Sequence, residues 1–318
     1  MTPGKPDLLL RVTAARFESD GVTSFELAAT DGATLPAWTP GAHIDIHLPS
    51  GRVRQYSLCG DIADRTRYRI AVLELTGGRG GSVEAHRELR PGVVIGASAP
   101  RSAFALVDAA RYVFIAGGIG ITPLLPMINS LERTGTPWEL TYCARSAQHF
   151  SFAGELRSLG GGKVRLLAED VDGRPDLGTL VADADGAAVF CCGPAGLMDS
   201  LAAQMTAAGR DDVHIERFTT ANPPSGSVVS ELFTVELARS GLTIDVGRNQ
   251  SVLEAVRSAG VDAPASCEMG ICGTCETKVL SGTVAHRDDL LTDDEKRQGS
   301  TMMICVSRAA GPRLVLDL

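Results

Sequence analysis

Four cysteines, Cys267, Cys272, Cys275 and Cys305, fall in the spacing C-x4-C-x2-C-x29-C. Three thiolates on one tight loop and a fourth from a distant strand are what a plant-type [2Fe-2S] cluster asks of its protein. Gly270 and Gly273 lie inside that loop, where the lack of a side chain lets backbone amides turn toward the sulfurs and stabilise the negative charge of a reduced cluster. A structural zinc site is the competing chemistry. Zinc modules usually present two short paired knuckles, and this sequence has a single C-x2-C, Cys272 to Cys275. Cys59, Cys143 and Cys191 have no partner motif and read as packing thiols.

Three further stretches could hold organic cofactors. The run Gly77-Gly78-Arg79-Gly80-Gly81-Ser82 follows a strand and precedes a helical stretch, Val83 to Leu89. Its amides and the helix terminus form a phosphate cradle, with Arg79 as the charge partner. The strand Tyr112 to Ala116 runs into Gly117, Gly118, Gly120, Thr122 and Pro123. Thr122 is the expected N-cap and Pro123 the first helical residue, which sets a helix N-terminus against a diphosphate. Pro123 stands where G-x-G-x-x-G would have its third glycine, so the ordinary dinucleotide fingerprint is not met. Further on, Cys191, Cys192, Gly193 and Pro194 lie between a strand and the helix Ala195 to Ala208. A nicotinamide delivers a pair of electrons and a [2Fe-2S] cluster accepts one, so a converter must stand between them, and a flavin fits that requirement.

The elements that must position these residues change rhythm along the 318-residue chain. Residues 1–107 alternate strands such as Ser24 to Ala28, His43 to His47, Arg54 to Leu58 and Tyr68 to Leu73 with Gly, Pro and Asp turns, which predicts an antiparallel β-barrel. Residues 108–221 alternate apolar strands with helical stretches, which predicts an α/β domain with a parallel sheet. Residues 222–229 have the composition of a linker, and residues 230–318 hold a hairpin, a helix and the cysteine cluster. Glycines inside the apolar run Tyr112 to Leu131, with Pro123 and Pro126, make it a strand, loop and helix rather than a membrane span. A net charge of -8 disfavours nucleic acid and anionic membrane as partners. No charged leader precedes Leu8 to Leu10, so the cytoplasm is the expected location, and the eight cysteines are expected as thiols or metal ligands.

The segment Cys267 to Cys275, with Leu291 to Glu295 before Cys305, resembles the β-grasp ferredoxins. Arg54-Gln55-Tyr56-Ser57, after Pro40 to His43, resembles the R-x-Y-S flavin motif of the ferredoxin reductase superfamily. The stretch Gly117 to Pro123 is similar to that superfamily's pyridine-nucleotide loop, and Cys192-Gly193-Pro194 to its C-G-P motif. Taken with Arg79 to Ser82 and the domain order, nearly the whole chain resembles the phthalate dioxygenase reductase and vanillate O-demethylase reductase family.

That resemblance implies FMN, with FAD the alternative. Tyr56 would pack on the flavin, Ser57 would lie by its reactive nitrogen, and Arg54, Arg79, Gly80, Gly81 and Ser82 would hold it. NADH would bind at Gly118, Gly120 and Thr122, with its nicotinamide beside Cys192, Gly193 and Pro194, and Phe218 over the flavin ring. Tyr142 to Ser146 offers no carboxylate for ribose hydroxyls, and Arg145 could meet a 2'-phosphate; the preference for NADH rests on the family. The implied function is an NADH-dependent reductase of a Rieske-type aromatic dioxygenase or O-demethylase. A redox-sensing flavin and iron-sulfur protein without an oxygenase partner is the alternative.

Overall fold

A computed structural model describes residues 6–76, 80–102, 104–159, 163–218, 232–248, 250–265, 267–271 and 273–318. They form two compact units, Pro6–Arg217 and Phe218–Leu318. The expected linker and the boundaries drawn around it lie outside the described residues, as do Arg79 and Cys272.

The first unit opens with strands β1 (Leu8–Ser19), β2 (Val22–Ala29), β3 (Ala42–His47), β4 (Val53–Ser57) and β5 (Tyr68–Leu73). Helix α1 (Gly81–Glu88) and strands β6 (Val94–Ala97) and β7 (Arg101–Ser102) follow. The sheet is antiparallel, in the order β4-β3-β6-β1-β2-β5, with β7 beside β3. Just past β4, Leu58 bridges Ile70 and the Cys59 N–H donates to the Arg69 carbonyl at 2.8 Å. These bonds join the two ends of the sheet into a barrel. Phe25, Leu27, Ile44, Ile46, Leu58 and Ile70 fill its interior, each worth about 1.5–3 kcal/mol of burial.

The same unit continues through β8 (Tyr112–Gly117), α2 (Ile121–Thr134), β9 (Trp138–Ala144), α3 (Ala153–Ser158) and β10 (Lys163–Ala168). It ends with α4 (Glu169–Asp172), α5 (Leu177–Asp183), β11 (Ala188–Cys192), α6 (Ala195–Ala207) and β12 (Val213–Glu216). The strands are parallel, in the order β10-β9-β8-β11-β12. Every residue of β8 and β11 is buried, the mark of strands covered on both faces. The strand order reverses between β8 and β11, so the loops leaving their C-terminal ends flank the crevice where such sheets bind ligands.

Barrel and parallel sheet share one core. Val22, Cys59 and Ala71 of the barrel cluster with Phe114, Ile121, Leu124 and Phe190. Polar bonds reinforce the seam: the Ser19 and Ser151 hydroxyls meet at 2.7 Å, and Arg69 pairs with Glu155 at 3.1 Å. Close packing of this kind transmits force without slack, so sites on the barrel and on the sheet are held at a fixed mutual position.

One detail of the expected nucleotide loop is corrected. Thr122 is not the N-cap of α2. A 3-10 turn at Gly118–Gly120 runs directly into the helix and Gly120 takes the cap position. The buried Thr122 hydroxyl instead donates to the Ile119 carbonyl at 2.9 Å. The Gly-Ile-Gly run of Gly118–Gly120 tightens into a 3-10 turn, which moves the helix start two residues ahead of the expected cap.

The second unit contains β13 (Phe233–Leu237), β14 (Leu242–Val246), α7 (Val252–Ser258), β15 (Glu276–Ser281), β16 (Val284–Ala285), α8 (Asp293–Gln298), β17 (Thr301–Met303), β18 (Arg308–Ala309) and β19 (Arg313–Leu316). Its main sheet runs β14-β13-β19-β15-β17, with β13 and β19 parallel and α7 packed on the same core, the β-grasp arrangement that the cysteine pattern predicts. Reciprocal capping boxes start both helices, Ser251 with Glu254 and Thr292 with Glu295.

Candidate functional site

The flavin-motif strand β4 pairs with β3 so that Ser57 faces His43, Tyr56 faces Ile44 and Arg54 faces Ile46. Ser57 is buried, and Arg54 and Tyr56 are partly so. Burial pushes the Tyr56 phenol up to about 12, with the Arg54 charge opposing, so the ring stays neutral. Burial, then the Arg101 charge, lowers His43 to about 4, so it too is neutral at ordinary pH.

Arg54 lies across the start of α1. A Cβ on Gly81 would stand 2.2 Å from the Arg54 Nε, so glycine alone permits the guanidinium to rest there. Gly80 precedes it with φ 78, a left-handed conformation, and among the described residues no side chain caps the helix. Its first-turn amides therefore face outward beside a cation, a donor set suited to one phosphate. The Ser82 hydroxyl accepts the Leu75 N–H at 3.0 Å, which leaves its own proton for a further acceptor. Arg54, Gly80, Gly81 and Ser82 are thus brought together, and Arg79 lies outside the described residues.

Glu84, in the first turn of α1, would oppose an anion if it faced the cradle. It is instead buried and turned back, accepting the Ser50 N–H at 2.8 Å, the Ser50 hydroxyl at 2.6 Å and Arg52 at 3.0 Å. Burial pushes its carboxyl up, but these bonds outweigh burial and hold it below its ordinary range. Sequence reasoning missed this anchor, since Ser50 and Arg52 lie more than thirty residues upstream.

The crevice between β8 and β11 is built by backbone meeting backbone. A Cβ on Gly120 would be 2.2 Å from the Cys192 carbonyl oxygen, and one on Gly193 would be 2.9 Å from the Gly117 Cα. Pro194 closes on Gly117, whereas nothing lies within 4 Å of the corresponding point on Gly118. Gly118, Gly120, Cys192, Gly193 and Pro194 therefore form one lip, with the Gly118 backbone open to a close-approaching ligand. Arg145 is exposed after β9, and its carbonyl accepts the Asp170 N–H at 3.1 Å. Phe218 is half-buried and begins the second unit.

Cys192 is fully buried, and burial first, then the charge of Glu216, raises its thiol well above the ordinary value. It remains a neutral, polarisable thiol. Glu216 is the residue that sequence reasoning missed here. It ends β12 directly beside Cys192. The residue keeps some surface, but its Oε2 is shut off from solvent without a hydrogen-bond partner among the described residues, and burial pushes the carboxyl up to about 8. Its only sequence signal is an acidic residue closing the last strand of the sheet.

In the second unit Cys267, Cys275 and Cys305 are all buried. The Met269 N–H donates to the Cys267 sulfur at 3.2 Å, and the Gly270 N–H is hydrogen-bonded to Cys305. Gly270 and Gly273 take φ of 74 and 77, which turns these amides inward, as the sequence predicts. The Cys305 thiol is pushed far up by its hydrogen bond with Cys275, by burial, and by the neighbouring Cys275 and Cys267. Thiols that resist ionising one another are a donor set that needs cationic metal. Among the described residues no three His, Cys, Asp or Glu side chains close around a single ion. The three described thiols fit an iron-sulfur cluster; the fourth, Cys272, lies outside the described residues.

Comparison with known proteins identifies the assembly. The family model of a 2Fe-2S iron-sulfur cluster binding domain matches residues 235–310. Phenoxybenzoate dioxygenase subunit beta of Ectopseudomonas oleovorans is 42% identical, over 97% of each chain. Phthalate dioxygenase reductase of Burkholderia cepacia is 38% identical over 100% of both chains, and a solved structure of a phthalate dioxygenase reductase matches with a TM-score of 0.83 and 37% identity over 98% of both. The chain belongs to the phthalate dioxygenase reductase family. As a phthalate dioxygenase reductase relative it is an oxidoreductase, a reductase component of an oxygenase system, with a flavin-reductase fold and a [2Fe-2S] domain. No helix among the described residues of this family member is long and apolar enough to cross a membrane.

Proposed function

We propose that the chain oxidises NADH, holds FMN on its barrel, and sends single electrons through Cys267, Cys272, Cys275 and Cys305 to a Rieske-type aromatic dioxygenase or O-demethylase. The division into a barrel at 1–107, a nucleotide domain at 108–221, a linker at 222–229 and a ferredoxin domain at 230–318 belongs to the same reading. The supporting observation is that Arg54 rests on Gly81 at one site, Gly120 rests on Cys192 at the other, and one core fixes both. A single cradle at the start of α1 suits the one phosphate of FMN.

The bound flavin supplies the conversion of a hydride pair into single electrons. The chain's own residues supply position. Arg54, with the amides of Gly80, Gly81 and Ser82, would hold the phosphate, and Tyr56 and Ser57 on the adjoining strand would hold the ring system. Gly118, Gly120 and Thr122 receive the dinucleotide diphosphate. Cys192, Gly193 and Pro194 would form the small wall of the nicotinamide pocket, and Phe218 is the residue that would cover the flavin ring. Arg145, after β9, is the residue that could meet a 2'-phosphate, and the preference for NADH rests on the family. No side chain needs to carry a proton for this step, since the contribution is the fixed approach of two reactants.

The decisive experiment is the visible spectrum and acid-released flavin of purified protein, followed by reduction of a one-electron acceptor with NADH and with NADPH. The reading expects iron-sulfide absorbance, FMN, and faster turnover with NADH. A colourless, iron-replete protein would overturn it, and released FAD or preference for NADPH would overturn those parts.

A further inference from the structure

Asp288 is a fully buried carboxylate in the second unit that none of the roles above uses. Its Oδ1 accepts the Ser307 hydroxyl at 3.1 Å, and His286 Nδ1 approaches the same oxygen at 3.4 Å. Its Oδ2 accepts the Leu291 N–H at 3.0 Å, and Lys296 Nζ donates to its backbone carbonyl at 2.7 Å. The next amide, Asp289 N–H, donates to the Gly270 carbonyl at 3.2 Å.

These bonds reach both halves of the cysteine set. Ser307 is two residues beyond Cys305, and Gly270 sits between Cys267 and Cys275. Gly270 is also the residue whose own N–H is bonded to Cys305. A Cβ on Gly270 would stand 3.1 Å from both the Cα and the Cβ of Asp288, so the two backbones are in direct packing contact. One face of the Gly270 residue is thus pinned by the 288–289 segment while its amide points at the fourth ligand.

We infer that Asp288 is a positioning residue: through Ser307 and the Gly270 peptide it fixes the distance between the Cys267–Cys275 loop and Cys305, and so sets the potential and the iron retention of the cluster. The inference rests on the reading that the four cysteines hold a [2Fe-2S] cluster. Amide hydrogen bonds to ligand sulfur stabilise the reduced form, so their alignment raises the potential. A buried carboxylate nearby acts in the opposite sense through its charge.

Two variants separate geometry from charge. Ser307→Ala cuts the bracket and keeps the charge. Its cluster is expected to lose iron to a chelator about tenfold faster, as loss of a hydrogen bond to a charged group implies. Its one-electron equilibrium is expected to move about tenfold toward the oxidised form, or about 59 mV more negative, with altered EPR g values. Asp288→Asn removes the charge, yet an amide can still bond the Ser307 hydroxyl in either orientation. It is expected to retain iron within about twofold of the parent by the same reasoning, while its potential rises. Ser307→Ala matching the parent in potential, EPR spectrum and iron loss would overturn the inference. So would Asp288→Asn losing iron as fast as Ser307→Ala. If the unaltered protein carried no cluster at all, the functional reading would be what fails.

Discussion

Gly120 and Cys192 approach so closely that a methyl group on Gly120 would stand 2.2 Å from the Cys192 carbonyl oxygen. The obstacle is backbone, which cannot rotate away as a side-chain tip can. Gly120→Ala must therefore part the β8 and β11 loops, at a cost typical of overpacking, about 1–3 kcal/mol. Because those loops form the proposed nicotinamide lip, NADH-dependent bleaching of the flavin should slow by at least ~tenfold, the kinetic equivalent of about 1.4 kcal/mol. Dithionite reduction of the cluster should be unchanged. Stopped-flow absorbance separates the two, and an unaltered NADH step in a normally folded Gly120→Ala protein would refute the assigned lip.

Arg54 against Gly81 yields a second prediction. A charge-assisted hydrogen bond contributes about 1.5–3 kcal/mol, so Arg54→Ala should weaken FMN binding by ~10- to 150-fold. Fluorescence of flavin released on dilution reports this directly. The helix should remain in place, since Glu84 anchors it independently through Ser50 and Arg52. A variant that kept its flavin at nanomolar concentrations would show that the phosphate sits elsewhere.

Much of this architecture is legible from local pattern. Tyr68–Leu73 and Ala188–Cys192 have the bounds that their apolar runs predict, and the glycine spacing around Cys267 to Cys275 carries the left-handed φ it needs. Local pattern cannot show which distant groups meet. Glu84 looks like an ordinary first-turn acid until the barrel brings Ser50 beneath it. Asp288 reads as one of several acids until Ser307 folds onto it. Thr122 has the residue type of a cap, yet the 3-10 turn Gly118–Gly120 before it moves the helix start. Glu216 is hidden from sequence for the same reason: its environment is set by the neighbouring strand, not by its own.

That environment has a pH consequence. Burial raises the Glu216 carboxyl from 4.5 to about 8 in the folded chain. Between those values the folded state keeps a proton that the unfolded state has lost, so folding stability falls as pH rises through this window and levels off above it. At about 1.4 kcal/mol per unit, the shift from 4.5 to about 8 makes the loss at most about 5 kcal/mol. Glu216→Gln removes the titration, so its stability should be flatter over the same range and exceed that of the parent near pH 8. Chemical denaturation at several pH values measures this, and parallel curves for the two proteins would contradict the buried, protonated carboxyl.

The two compact units make separable contributions, and Cys305 tests that separation. It is buried on the β-grasp core and bonded to Cys275 and to the Gly270 amide, whereas the flavin and nucleotide residues belong to Pro6–Arg217. Cys305→Ser replaces a thiolate by a hydroxyl that iron binds poorly at neutral pH. Reduction of cytochrome-like one-electron acceptors by NADH should fall by at least ~tenfold, about 1.4 kcal/mol in barrier terms. Flavin bleaching by NADH should proceed at the parent rate, because no residue of the hydride site has changed. Loss of both activities in a chain that still binds flavin would mean that the electrons do not pass from nicotinamide to flavin to cluster in that order.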